Sequence, residues 1–263
     1  WERKLLIILT TGFFAITSLV YALSIPNIYT SSTLVSPSVE NSSLSSKLSN
    51  YSSLAGIAGV DLPAVQSTKS QEAIARIQSL DFFSNHISPY IKAEDLIAVK
   101  KWHARSNKIE YDDKIYNEKL DKWVRKFSYP KKLIPSNQEL YLIYKRILTV
   151  SVDKKTNFAT ISIDHQSPYI AQNIVQLIVT NININMSSED KEYARKTIDF
   201  LNDYSSNTNL QSLNEAIYSL LDTQIQTLML ASTNVDYVFK YLNRPVVPER
   251  KSKSLSLSLS LPK

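Results

Sequence analysis

SPYIAQNIVQLIVTNININMSSEDKEYARKTIDFLND, residues 167–203, holds one proline at its second position and no glycine. Ser167-Pro168 is a favourable helix start, because the first turn has no use for the N–H that proline lacks, and its φ is already helical. Behind it Ile170, Ile174, Leu177, Ile178, Ile182 and Ile184 recur at helical spacing and run on towards Tyr193, Ile198 and Leu201. This predicts one very long helix, with residues 185–188 as the place where it could break. Residues 205–209, SSNTN, read as a polar turn. Leu213, Ile217, Leu220, Leu221, Ile225, Leu228 and Met229 then predict a second long amphipathic helix. Two long helices joined by a short turn make an antiparallel hairpin, about 168–232, standing out from the rest of the chain.

Outward from the hairpin the pattern shortens. Ser136-x-x-Glu139 spells a capping box, and Leu140, Ile143, Tyr144 and Ile147 after it predict a short helix. Leu148–Val152 and residues 158–163, FATISI, predict two strands joined by the turn-forming DKKTN. Residues 235–242 read as a strand ended by Arg244-Pro245, and residues 28–35 as another ended by Pro37. Gln71 to Ile87 carries Ile74, Ile77, Leu80 and Phe83 on one face, a helix with Ser70 as N-cap and Ser88-Pro89 as its end. Leu44, Leu48, Tyr51, Leu54 and Ile57 put a further stripe on a serine-rich helix. Gly56 and Gly59 close it, spaced so that a second backbone could approach, which makes them the candidate oligomer interface. From Lys92 to Trp102 and again from Ile115 to Phe127 the pattern is mixed, and Trp102, Tyr111, Tyr116 and Trp123 are expected to serve as core anchors for short helices. The fold class is α+β: a mixed α/β domain with a small sheet, carrying the long hairpin.

Leu5 to Ile25 is an uncharged apolar run set behind Arg3 and Lys4 and closed by Pro26. About 20 such residues cross a bilayer core of roughly 30 Å as a helix. Residues 1–26 are therefore expected to be an N-terminal transmembrane anchor, with the basic pair keeping the N-terminus cytoplasmic and the bulk of the chain, 27–244, on the far side. A cleaved signal peptide ending near Ala22-Leu23-Ser24 is the alternative.

Composition narrows the chemistry. The 263 residues include no cysteine and only three glycines, so disulfides, thiol nucleophiles and glycine-built phosphate loops are excluded. The net charge of +6 is concentrated between Lys100 and Lys155, where Lys and Arg outnumber Asp and Glu about two to one. That stretch lacks the interleaved aromatics of a single-strand binder and reads as a solvated face, with no nucleic-acid partner. His86, His103 and His165 are far apart and lack a second ligand at metal-site spacing. Asp112-Asp113 and Glu189-Asp190 are adjacent pairs whose members point apart on a helix, and both are expected to be solvated. No hydrolase elbow or nucleotide fingerprint is spelled. No catalytic residue, metal or cofactor is expected.

One succession is more specific than its parts. The anchor is followed by Pro26-Asn27-Ile28-Tyr29-Thr30-Ser31, a small-residue helix and the long hairpin, with Leu213-x-x-Ala216-x-x-Ser219-Leu220 and Thr227-Leu228-Met229-Leu230-Ala231 inside it. Tyr237-Val238-Phe239 and then Pro245-Val246-Val247-Pro248-Glu249-Arg250-Lys251 close the series. In order and spacing this resembles the Wzz-type chain-length determinants of bacterial surface polysaccharides, the polysaccharide co-polymerases, in their non-kinase O-antigen branch. The resemblance implies a non-catalytic inner-membrane protein with a periplasmic α+β domain and a long helix extending into the periplasm. It implies homo-oligomers assembled as a bell-like ring, and partnership with the O-antigen polymerase and the growing polysaccharide. The implied task is to set how many repeat units are joined into the O-antigen of lipopolysaccharide. Pro245 and Pro248 would belong to the family's proline-rich segment before a second membrane helix.

Residues 254–263, SLSLSLSLPK, depart from that pattern, being too short and polar to span a bilayer. The segment 245–263 is therefore expected to be a proline-containing tail leading to a missing second transmembrane helix, and Trp at position 1 reads as an incomplete N-terminus. The alternative functions are a membrane-anchored periplasmic adaptor of an export system, whose usual glycine-rich β-domains this composition disfavours, and a length regulator of a different polysaccharide.

Overall fold

The computed structural model describes residues 12–14, 17–18, 27–38, 69–206 and 211–254. Strand β1, Asn27–Pro37, organises the sheet. Its β-branched and hydroxyl residues alternate between faces, and the inward set, Ser31, Thr33 and Val35, is buried. On one side β1 pairs antiparallel with β7, Ala159–His165, from Tyr29 opposite His165 to Val35 opposite Ala159. Beyond β7 lies β6, Leu148–Val152, the predicted hairpin partner. Its turn is built as expected: the Asp153 carboxylate accepts from the Lys155 and Thr156 N–H groups, and Asn157 takes the positive φ of 57° that asparagine tolerates. On the other side β1 pairs with β8, Phe239–Asn243, and near its start with β9, Lys253–Ser254. The five strands run β6-β7-β1-β8, with β9 on β1.

Short helices cover one flank. Helix α1, Lys69–Ile77, ends where Ser79 turns extended and caps α2, Leu80–Phe82, by accepting the Phe82 N–H at 3.1 Å. The chain continues through a π turn, Phe83–Ile87, and a 3₁₀ turn, Ser88–Tyr90. The single helix expected over 71–87 is thus broken, because the Ser79 hydroxyl competes for the backbone, and Ser70 lies inside the first piece rather than capping it. Helix α3, Ala93–Ile97, precedes the hairpin of β2, Val99–His103, and β3, Lys108–Tyr111. The two-residue strands β4, Tyr116–Asn117, and β5, Lys122–Trp123, replace the short helix expected at 115–127. A turn with Asp121 at φ 51° joins them. Helix α4, Asn137–Ile147, starts as predicted, with the Ser136 hydroxyl accepting the Glu139 N–H.

Helix α5, Pro168–Ser206, is one unbroken element of 39 residues, about 58 Å long at 1.5 Å per residue. Its first half lays Ala171, Ile174, Val175, Ile178, Val179, Ile182 and Met186 on the sheet, against Val35, Ile161 and Ile163. Each fully buried isoleucine there is stabilising by roughly 1.5–3 kcal/mol. Its second half leaves that core and pairs instead with α6, Gln211–Thr233. Leu201 meets Ile217 and Leu221 in a small separate cluster, while Leu230 and Ala231 rejoin the main core, so the two helices are antiparallel. The β8 strand begins at Phe239, later than the expected residue 235, because the Asn234 side-chain Oδ1 accepts the Asp236 N–H in a turn. Among the described residues no helix is long and apolar enough to cross a membrane, and most of the expected anchor, Leu5 to Ile25, lies outside them.

Candidate functional site

The long arm is fixed to the sheet by polar contacts at its midpoint, just where its apolar face runs out. Asn183 is 4% exposed, and its side chain makes three hydrogen bonds. Its Oδ1 accepts from the N–H groups of Val238 and Phe239 at 2.8 and 2.9 Å, and its Nδ2 donates to the Phe239 carbonyl at 2.9 Å. This locks the returning chain to α5 at the start of β8. Two turns further along α5, the Asp190 carboxylate accepts from the Lys69 ammonium and the Tyr237 hydroxyl. The ammonium also donates to the Tyr237 oxygen at 2.7 Å and sits 4.8 Å from the ring centroid. Burial first, then the hydrogen bond to Asp190, pushes the Tyr237 phenol up, so it remains a neutral donor.

Arg76 of α1 completes the belt. Its guanidinium donates to Glu189 at 2.6 Å, to Glu72 at 2.7 Å and to the Asn185 side chain at 3.2 Å. Glu189 and Asp190 are therefore not a solvated pair: one faces Arg76, the other Lys69 and Tyr237. None of these contacts lies in a cleft around a reactive group, and they tie three elements into a joint.

A second constellation holds the proline tail on β1. The buried Thr33 hydroxyl donates to the Asn243 carbonyl at 2.5 Å, and the buried Ser31 hydroxyl to the Val246 carbonyl at 2.9 Å. The Ser252 hydroxyl accepts the Thr30 N–H at 2.9 Å, and the Ser252 N–H donates to the Ile28 carbonyl. Pro245 is buried within this seam and Pro248 half-buried. The tail thus returns along β1 until Ser254 lies opposite Asn27, and the two sequence segments read as leading to and from a membrane meet at one point. Gly56 and Gly59, the other candidates, lie outside the described residues.

The histidines do not cluster, and among the described residues no group of His, Asp and Glu could hold a metal. His165 is buried. Its Nδ1 accepts the Ser167 N–H at 2.9 Å, which leaves Nε2 to donate to the Asp95 carbonyl at 2.7 Å. Burial lowers its pKa, so the ring is neutral. His103 and Lys100 both meet Glu110 across the β2–β3 hairpin, at 2.9 and 2.7 Å, and the hydrogen bond from Lys100 leads in holding that carboxyl down at about 2.

Sequence reasoning missed Asn183, Lys69, Asp190 and Arg76. Their only local signal is a polar residue on an otherwise apolar helix face, Asn183 beside Ile182 and Met186. Beyond the joint, the arm exposes Tyr193, Phe200, Tyr218, Ile225 and Met229, more large apolar surface than an isolated helix pair needs.

A small antiparallel sheet, a helical arm locked to it by polar joints and a tail folded back to the start of the first strand define a scaffold. Residues 1–89, about a third of the chain, match the family model Wzz, chain length determinant protein. That description is of a determinant of length, not of an enzyme. No curated protein matches the sequence. A solved full-length bacterial polysaccharide co-polymerase is similar at 16% identity and TM-score 0.33, over 96% of this chain and 86% of that one. A fragment of WzzB, the polysaccharide co-polymerase of Salmonella Typhimurium, is similar at 13% identity and TM-score 0.31, over 86% and 100%. A mutant of the Shigella flexneri lipopolysaccharide O-antigen chain-length regulator gives 14% and 0.24, over 86% and 100%. At TM-scores this low the three structures carry no argument.

Proposed function

We propose that this protein sets the chain length of a bacterial surface polysaccharide, the O-antigen of lipopolysaccharide, from the inner membrane and without catalysing a reaction. The observation that carries the proposal is the Wzz match over residues 1–89, which covers the apolar run and β1. In this account residues 1–26 anchor the chain, residues 27–244 form the periplasmic α+β domain with its arm, and residues 245–263 lead back towards the membrane. The pairing of Ser254 with Asn27 supports that arrangement by bringing both ends of the domain to one place.

Copies of the chain assemble side by side as a closed ring, through heterologous contacts that leave no free lateral face. The exposed Phe200, Tyr218 and Met229 on the arm, and the glycine pair Gly56 and Gly59, are the surfaces offered for it. The O-antigen polymerase and the growing glycan are the partners. The test is the lipopolysaccharide ladder of a strain deleted for the gene and of the same strain carrying the full-length copy. Complementation should turn a random ladder into a defined modal cluster, and an unchanged ladder would overturn the proposal.

A further inference from the structure

The basic excess between Lys100 and Lys155 has a structure that composition alone does not show. Arg125 closes a surface loop at its neck: its guanidinium donates to the Leu133 carbonyl at 2.9 Å and the Lys132 carbonyl at 2.5 Å, and pairs with Glu139 at 2.5 Å. The loop so closed turns its apolar side chains outward. Tyr129 is 96% exposed, Ile134 65% and Phe127 55%, and Leu120 on the adjoining β4–β5 turn 64%. Among them stand Lys119, Lys122, Lys126, Lys131 and Lys132, so that residues 119–134 hold six basic side chains against one acidic, Asp121. Among the described residues none of these five lysines has an acidic partner at ion-pair distance. The expectation that this stretch lacks interleaved aromatics does not hold, since Phe127 and Tyr129 stand outward among the lysines. Such a surface suits a phase that is apolar beneath and anionic at its surface.

The loop's place in the fold selects the partner. Tyr29, the third residue after Pro26, packs edge-on to Trp102 with ring centroids 5.3 Å apart, and stands opposite His165, which donates to the Asp95 carbonyl. The Asp95 carboxylate accepts from Tyr111 at 2.6 Å, Tyr111 packs edge-on to Tyr116 and Tyr116 to Trp123. An unbroken chain of contacts therefore joins the first residues of β1 to the base of the basic loop, whereas the arm leaves from the opposite end of α5. We infer that the Leu120–Ile134 surface is a membrane-interface contact, which seats the domain on anionic phospholipid headgroups beside its anchor. The inference rests on the proposed membrane anchor for its geometry, although the surface chemistry of the loop stands without it.

The chain has no cysteine, so Tyr129→Cys gives a single labelling site and Tyr218→Cys, on the arm, a control. The full chain is reconstituted in phosphatidylcholine vesicles, with and without phosphatidylglycerol, and an environment-sensitive dye is quenched by nitroxide lipids. The dye at 129 should be quenched only when phosphatidylglycerol is present, and the dye at 218 in neither. Replacing Lys126, Lys131 and Lys132 by Glu should abolish that quenching, since each basic residue near an anionic surface strengthens binding about five-fold. No lipid quenching at 129, or quenching indifferent to lipid charge and to the three reversals, would overturn the inference. So would protection of the dye that follows protein concentration, or an added acidic polysaccharide, instead of lipid. Retention on phosphatidylcholine vesicles through a high-salt wash reports the anchor separately. A chain that washes off contradicts the anchor, and the lipid-charge dependence at 129 still decides the loop.

Discussion

Asn183 and Phe239 are 56 residues apart in sequence, and the Asn183 side chain holds both backbone groups of Phe239, accepting from its N–H and donating to its carbonyl, each at 2.9 Å. The midpoint of the arm is thereby fixed to the first residue of β8. Asn183→Leu keeps the branched shape but removes the partner of three buried backbone groups, the Val238 and Phe239 amides and the Phe239 carbonyl. Because an unpaired buried group costs about 1–3 kcal/mol, the variant should lose at least about 3 kcal/mol in denaturant unfolding. A loss below about 1 kcal/mol would show that the joint is dispensable.

The Lys69–Asp190 pair lies between α1 and α5, with each side chain 30% exposed. Partial burial places it between surface and core pairs, so a double-mutant cycle with Lys69→Met and Asp190→Asn should give a coupling of about 1 kcal/mol. Raising the salt should weaken it modestly. Additive single effects would mean that the contact contributes no net stability.

The tail seam should open locally. Thr33→Val with Ser31→Ala removes the two hydroxyls that hold the Asn243 and Val246 carbonyls. Trypsin cleavage after Arg250 and Lys251 should accelerate several-fold, while the global unfolding free energy falls by roughly 2 kcal/mol or less at about 1 kcal/mol per hydrogen bond. Unchanged cleavage rates would show that the tail is held otherwise.

Burial lowers the pKa of His165 below its ordinary 6.5. Above that pH the ring is neutral in both folded and unfolded chains. Below it the unfolded chain binds a proton that the folded chain refuses, so stability is lost as pH falls from about 6.5 towards the folded value. The loss contributed by this one group has a slope of at most about 1.4 kcal/mol per pH unit. His165→Gln should flatten unfolding free energy against pH in that window, at some cost in absolute stability. An identical slope in the variant would assign the acid sensitivity elsewhere.

What the sequence made legible is local. Ser167-Pro168 starts the arm, Ser136 caps α4, and the β-branched runs at 148–152 and 159–165 pair across an asparagine turn, because in each case the deciding chemistry lies within a few residues. The polar joint was not legible: Lys69, Asp190 and Tyr237 converge from three elements, and nothing near Asp190 distinguishes it from a solvated carboxylate. The β4–β5 hairpin failed for a related reason. Two-residue strands carry no period, and their Tyr116 and Trp123 pack on each other across the hairpin, with Tyr111 from outside the segment against Tyr116. The burial of Pro245 likewise depends on β1, more than two hundred residues away.

Length control by a rigid arm is tested most directly at Leu201, which packs with Ile217 and Leu221 in a cluster separate from the main core. Leu201→Asp should unfold the outer arm and leave the sheet intact. The lipopolysaccharide ladder of a deletion strain carrying this variant is then compared with that of the strain carrying the unaltered gene, at equal protein level in the membrane fraction. The account predicts that the variant loses the modal cluster and gives a random ladder. A modal cluster at the unaltered position would contradict it.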